Sequence, residues 1–263
     1  MNRLFGLLSG ATLTLALISP ATHAAESADS LIQAIKDRGA LRACHAEALP
    51  WGAKDPKTEE WVGTDIEAAK HLAETIGVEI EHVDSTWATL IPSLETDKCD
   101  IVMAPMFRTP ERAMRILFAE PSGYETQGVA VLTDSGSQQY ADLDKDGMTI
   151  AVLSGTADEA FANRFFKNAE VKPFVSDKLS TIFLEVASRR ADGVLTDSST
   201  LRNFIKENPA MKLRILEAEP LNPQGYSYAV RPGEYHFVEF VNVWQQAIEM
   251  QGLRDQWYEK YAE

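Results

Sequence analysis

The sequence predicts an α/β fold made of two lobes, each a mainly parallel sheet covered by helices. Three observations carry this reading. Strand-like and helix-like segments alternate, which is the pattern of parallel strands joined by helical crossovers. The alternation comes in two series, one before and one after about residue 128. A chain of 263 residues is long enough for two cores of ordinary size.

The first series opens with a helix over Ser30–Arg38, where Leu31, Ile32 and Ile35 share a face and Gly39 supplies the C-cap. A strand follows over Leu41–Cys44. Asp65–Ile76 sets Ile66, Ala69, Ala73 and Ile76 at helical spacing, with Thr64 or Asp65 as N-cap and Gly77 as the stop. Val78–Val83 reads as a strand, and Trp87–Thr96 as a helix carrying Leu90, Ile91 and Leu94. A buried strand begins at Cys99 and runs to Ala104. Thr109-Pro110 opens a short helix with proline at its first position.

The second series has strands at Val129–Leu132 and Thr149–Leu153, then a helix over Thr156–Phe166 with Thr156 and Glu159 as a capping box. A helix over Leu179–Ala187, a strand over Gly193–Thr196 and a helix over Ser199–Glu207 follow. Strand Ser227–Arg231 and two helical stretches ending at Tyr261 close the chain.

Composition removes several classes. Hydrophobic residues are 45% and charged residues 24%, an ordinary soluble balance that excludes disorder, collagen and coiled coil. Two cysteines cannot make a disulfide-dense scaffold. There are 39 acidic against 25 basic residues, a net charge of −14, which argues against nucleic acid and anionic membrane as partners.

Met1–Ala24 has a basic start at Arg3, an apolar run from Leu4 to Ile18, a breaker at Pro20 and small residues through Ala25. That is the pattern of a secretory signal peptide cleaved near Ala24 or Ala25, so the mature protein is expected in an exported compartment. Export permits a Cys44–Cys99 disulfide. If both cysteines sit in parallel neighbouring strands, they lie near opposite ends, about 10 Å or more apart at ~3.3 Å per residue. A disulfide needs its Cα atoms within roughly 7 Å. Two buried thiols are therefore expected.

Ligands of open α/β sheets bind beyond the carboxyl ends of strands, and three groups fall there. Arg112, in the first turn after Thr109-Pro110, could hold a carboxylate with two parallel hydrogen bonds, or could pair with Glu111 or Glu120 at the surface. Ser154-Gly155-Thr156 could present backbone N–H groups to an anion, or be a plain N-cap. Asp197 could accept from an ammonium group, or cap the helix beginning near Ser199. Trp51 and Trp87 are either pocket aromatics or core. There is no G-x-S-x-G or H-E-x-x-H motif, and the five histidines show no metal-ligand spacing, so no metal and no cofactor is expected.

Several blocks resemble the amino-acid-type periplasmic solute-binding proteins of ABC importers, family 3 of the bacterial extracellular solute-binding proteins. They are Arg38-Gly39-Ala40-Leu41-Arg42, Val62-Gly63-Thr64-Asp65-Ile66, and Trp87 to Leu94 with Cys99-Asp100-Ile101 and Thr109-Pro110-Glu111-Arg112. Gly225-Tyr226-Ser227-Tyr228-Ala229-Val230-Arg231 and Gly252-Leu253 through Tyr261 complete the set. The resemblance implies a type II periplasmic binding protein fold with two hinge strands, near Tyr124–Gly128 and Ala218–Gln224. Residues 25–127 and 222–263 would form lobe 1, and residues 128–221 lobe 2.

It also implies roles. Arg112 matches the carboxylate-binding arginine, Gly155 and Thr156 the loop that grips the same carboxylate from the second lobe, and Asp197 the ammonium-binding aspartate. An aromatic at Trp87 covers the ligand side chain, and Trp51 is a second pocket aromatic. Pro105 falls where a backbone carbonyl receives the ammonium. Phe107 replaces a usual serine or threonine but keeps its N–H. The implied function is capture of an amino acid or amino-acid-like molecule, carrying a carboxylate and an ammonium, for an inner-membrane importer permease, as a monomer.

Departures narrow the reading. The first loop has His45 and Ala48 where an acid often precedes an aromatic by three residues, which argues against a lysine or arginine receptor built the usual way. With Pro105 and Phe107, it suggests a more apolar pocket. Cyclohexadienyl dehydratases resemble the chain around Thr181-Ile182-Phe183 and Thr196-Asp197. Those enzymes carry a glutamate where this chain has Thr200 and an asparagine where it has Ala157, so an enzyme is not expected. A partner protein that has lost ligand binding is a third class, opposed by the presence of both Arg112 and Asp197.

Overall fold

The computed structural model describes residues 30–262. The expected leader lies outside the described residues. Among those described, no helix is long and apolar enough to cross a membrane.

The main sheet runs Glu79–Asp84, Ala40–His45, Ile101–Phe107, Leu221–Val230, Gly123–Leu132, Gly193–Asp197, Thr149–Leu153 and Glu170–Phe174. The first three are parallel to one another, and so are the last three. Between the two parallel sets stand two long strands, Gly123–Leu132 and Leu221–Val230, paired antiparallel with Leu221 opposite Gln127 and Tyr226 opposite Gly123. The alternating segments thus become two parallel sets, joined through one antiparallel pair.

The cores follow the same division. On one side Leu41, Ala69, Leu72, Ile101, Phe237 and Trp244 are buried together, and Leu90, Leu94 and Met106 close the opposite sheet face. On the other side Ile182, Phe183, Val194 and Phe204 pack on one face, and Val129, Ile150, Val152 and Leu195 on the other. The strands read as continuous apolar runs because both faces are covered.

Most element ends have local causes. Ser30 caps the helix Leu31–Arg38 by accepting from the Gln33 N–H, and Gly39 ends it in the left-handed region at φ 76°. Thr109 caps Pro110–Ala113 by accepting from the Arg112 N–H, which places Arg112 in the single turn that follows the strand. The helix Thr64–Ile76 departs from expectation. Gly63 precedes it, and Asp65 is no cap because its carboxylate turns inward to Tyr228.

Cys44 and Cys99 form a disulfide with Cα atoms 5.7 Å apart, which overturns the expected pair of thiols. The strand register is the reason. The strand starts at Ile101, not at Cys99, and Cys44 stands opposite Val102. Cys99 lies in the segment between helix Leu90–Glu95 and this strand, outside the ladder, where it is buried with Cys44, Leu90 and Leu94. The bridge spans 55 residues. Replacing both cysteines by alanine is expected to lower the unfolding free energy by roughly 2–4 kcal/mol in urea denaturation.

Candidate functional site

A cleft opens where the carboxyl ends of both parallel sets meet the antiparallel pair. It holds about 500 Å³ of empty space, counting its mouth. Arg112, Asp197, Trp87, Trp51, Thr156, Phe107 and Pro105 all line it. Seven of the eight residues picked from the sequence are therefore brought to one place.

Arg112 reaches across the cleft. Its guanidinium donates to the Phe107 carbonyl at 3.0 Å and to the Gly155 carbonyl, on the facing lobe, at 3.3 Å. Burial lowers its pKa to about 10, against the pull of Asp158. It remains a cation at neutral pH, held by dipoles and not by a surface carboxylate.

Gly155 lies behind the lining. Its φ of 80° is left-handed, and an added Cβ would come within 2.5 Å of Ala88 Cα. The missing side chain lets the two lobes touch here, so this close approach is between lobe and lobe. Thr156 caps the helix Ala157–Phe165 by accepting from Glu159 N–H, while the Glu159 carboxylate takes the Gly155 N–H at 2.8 Å. That N–H is already occupied.

Asp197 ends its strand and also caps Ser198–Glu207, accepting from Thr200 N–H at 2.8 Å. Capping and lining the cleft are thus compatible roles. Burial, reinforced by neighbouring Asp158, raises its pKa to about 7. Asp192 starts the same strand and bonds to Thr149 N–H at the far end, away from the cleft. Trp87 donates from its indole to the Glu47 carbonyl at 2.9 Å and packs against the cores of both lobes. Trp51 is buried edge-on against Tyr226, with centroids 5.6 Å apart.

The sequence reading missed three acids, and the pocket is not as apolar as expected. Glu47, Glu125 and Asp158 join Asp197 in the lining, so four carboxylates face one guanidinium. Asp158 is buried, accepts from Gln127 Nε2 and, at 3.2 Å, from the Thr196 hydroxyl, and has its pKa raised to about 6 mainly by desolvation. Glu47 accepts from the Leu179 N–H across the cleft at 3.0 Å, and burial raises its pKa. Glu125 accepts from the Ser199 hydroxyl and the Thr126 N–H. Asp158, in the first turn after Thr156 at the carboxyl end of a strand, could have been found by its position. Glu47 and Glu125 sit on a loop and on the long strand, where nothing in the sequence marks them.

A half-buried arginine facing acids contributed from both sides of the cleft describes a site that can clamp a zwitterion. Residues 41–263 match the model of the bacterial extracellular solute-binding proteins, family 3. The chain belongs to that family. ABC transporter arginine-binding protein 1 of Escherichia coli is 30% identical over 207 residues, covering 76% of this chain and 82% of the relative. Cyclohexadienyl dehydratase of Pseudomonas aeruginosa is 27% identical, covering 100% of this chain and 97% of the enzyme. Most of the similar proteins are binding proteins, whereas that dehydratase is an enzyme. Among solved structures, the ancestral amino acid-binding protein AncCDT-1, a precursor of cyclohexadienyl dehydratase, is 32% identical with a TM-score of 0.80, covering 89% of this chain and all of its own. A mutant of ArgBP from T. maritima is 34% identical with a TM-score of 0.80, covering 88% and 98%. The fold is that of the type II periplasmic amino-acid-binding proteins.

The raised pKa of Asp197 has a consequence for stability. In the unfolded chain this carboxyl titrates near ~3.9, so the folded state takes up its proton first. Its contribution is fully favourable below that value and is lost as pH rises through about 7. Asp197→Asn keeps a cap and removes the charge. It is expected to raise ligand-free stability at pH 8 by on the order of 2 kcal/mol, with the gain fading toward pH 4 in thermal melts.

Proposed function

We propose that this protein is the periplasmic substrate-binding component of an ABC importer, capturing an amino acid with a cationic side chain by closing two lobes on it. The observation that carries this is the charge balance of the cleft: one guanidinium against four carboxylates. Arg112 takes the ligand carboxylate and Asp197 the α-ammonium. Pro105 offers a carbonyl, and Phe107 and Thr156 complete the walls. Trp87 and Trp51 cover the side chain, and Glu47 and Glu125 receive its positive charge. This replaces the usual first-loop acid and its aromatic, at whose positions stand His45 and Ala48.

The lobes are residues 25–127 with 222–263, and residues 128–221, after removal of a signal peptide near Ala24 or Ala25. The buried clusters support that division, since the residues packed with Leu41 and Ile101 do not recur among those packed around Ile150 and Phe183. Contacts to both lobes exist together only in the closed form, so ligand shifts the population toward closure. The closed monomer would then dock on an inner-membrane permease.

The protein is read as a receptor and not as a dehydratase. Such an enzyme needs an acid to protonate the departing hydroxyl. At that place stands Thr200, whose hydroxyl donates to the Leu49 carbonyl across the cleft at 3.3 Å, and Ala157 offers no polar group.

Calorimetry on the purified protein with arginine, lysine, histidine, glutamine and prephenate tests this. One-to-one binding of a cationic amino acid, weakened on the order of 100-fold or more by Arg112→Ala, is expected. No binding of any amino acid, or turnover of prephenate, would overturn the reading. A second measurement concerns pH. In the ligand-free cleft Asp197 and Asp158 hold protons up to about 7 and 6, and an ammonium group must displace them. Affinity should therefore fall as pH drops from 8 to 5, with almost no proton released on binding at pH 8 and more released below about 7. A flat profile would remove Asp197 from the ammonium role.

A further inference from the structure

Behind the aromatic wall lies an ion pair that the cleft itself does not use. Asp65, only 1% exposed, opens the helix Thr64–Ile76. Arg254 comes from the last helix, Leu253–Ala262. The Tyr228 hydroxyl donates to Asp65 Oδ1 at 2.8 Å and accepts from Arg254 Nη1 at 3.3 Å. Arg254 Nη2 stands 3.8 Å from the same Asp65 oxygen. The guanidinium covers the rings of Tyr226 and Tyr228, 5.9 Å and 5.8 Å from their centroids. Tyr226 meets Trp51 edge-on, and the Trp51 carbonyl accepts from the Asp65 N–H at 2.8 Å. The contacts thus close a ring: Asp65, Tyr228, Arg254, Tyr226, Trp51 and back to Asp65.

This ion pair is poorly made for stability. It is not bidentate, and Asp65 Oδ2 and Arg254 Nη2 are buried without a hydrogen-bond partner among the described residues. A buried pair of that quality costs about as much in desolvation as it returns. What it does hold is geometry. Two members of the ring, Trp51 and Tyr226, are cleft wall. Gly123, opposite Tyr226 in the strand pair, leaves room that a Cβ would take from the Tyr226 hydroxyl.

We propose that Arg254 is a positioning residue of the ligand cleft: from the last helix it fixes Tyr226 and, with Asp65, the Trp51 ring. This rests on the cleft being the ligand site, but its test does not depend on ligand alone. The double variant Asp65→Asn with Arg254→Met keeps an acceptor for Tyr228 and removes both charges. It is expected to melt within a few degrees of the parent. The indole N–H resonance of Trp51 in the ligand-free ¹⁵N-labelled protein, assigned through Trp51→Phe, should move and broaden. Affinity for arginine should fall by about tenfold or more, and Arg254→Lys, which keeps the charge but not the flat face, should recover only part of it. An unmoved Trp51 resonance in a folded double variant overturns the proposal whatever the ligand, and so does an unchanged arginine affinity. Failure of the parent to bind arginine counts against the ligand reading and leaves the indole result to decide this one. If the double variant does not fold, Arg254→Lys carries the same indole measurement.

Discussion

Four carboxylates share a cleft with one guanidinium, and much of the structure around the cleft answers that imbalance. Like charges in a low-dielectric space resist joint ionisation. The chain meets the cost in two ways. Asp158 and Asp197 take up protons at a higher pH than free carboxyls do, their pKa values rising to about 6 and about 7. Donors are also recruited from every element nearby: Gln127 and Thr196 for Asp158, Thr200 N–H for Asp197, Ser199 for Glu125 and Leu179 N–H for Glu47. The cationic ligand proposed above would relieve a conflict already present in the empty cleft as well as make new contacts.

One of these donors, and one of the acids, comes from the antiparallel pairing of Gly123–Leu132 with Leu221–Val230. Gln127 lies on the first of these strands and takes a hydrogen bond from Asn222 on the second at 2.8 Å. The amide that steadies Asp158 is thus itself held by the crossing between the lobes. Glu125 and Tyr226 come from the same pair. The strand pair that joins the two parallel sets thus also carries part of the cleft lining, so a displacement of one set relative to the other would be felt directly by the charged groups.

The sequence made the strand ends legible because each is marked by residues whose chemistry is local. Thr109-Pro110, Gly155-Thr156 and Asp197 cap helices that begin where strands stop, and a ligand site of this fold gathers at such starts. What stayed hidden depends on distance along the chain. The Cys44–Cys99 bridge turns on whether Cys99 is in a strand or in the segment before it, a matter of two residues. The strand Glu170–Phe174 was invisible because Pro173 argues against a strand, yet it is an edge strand, where a missing N–H is tolerated. Asp65 looked like a cap because aspartate at a helix start usually is one. Only the fold shows Tyr228 and Arg254 waiting on its inner side.

Gly155 shows how a correct choice of residue can rest on a different cause. A glycine beyond a strand suggests a backbone approached closely by a ligand. Here the closely approached group is Ala88 on the facing lobe, and the Gly155 carbonyl receives Arg112. Both contacts exist only when the lobes are together. In the proposed closure, this glycine would set how near the lobes come. Under the proposed role of Arg112, a ligand carboxylate would compete with that carbonyl, and a full negative charge at hydrogen-bond distance attracts a guanidinium more strongly than a peptide dipole does. The proposed capture would thus exchange one partner for a stronger one at a single guanidinium, beside a contact between lobes that an added methyl group would block.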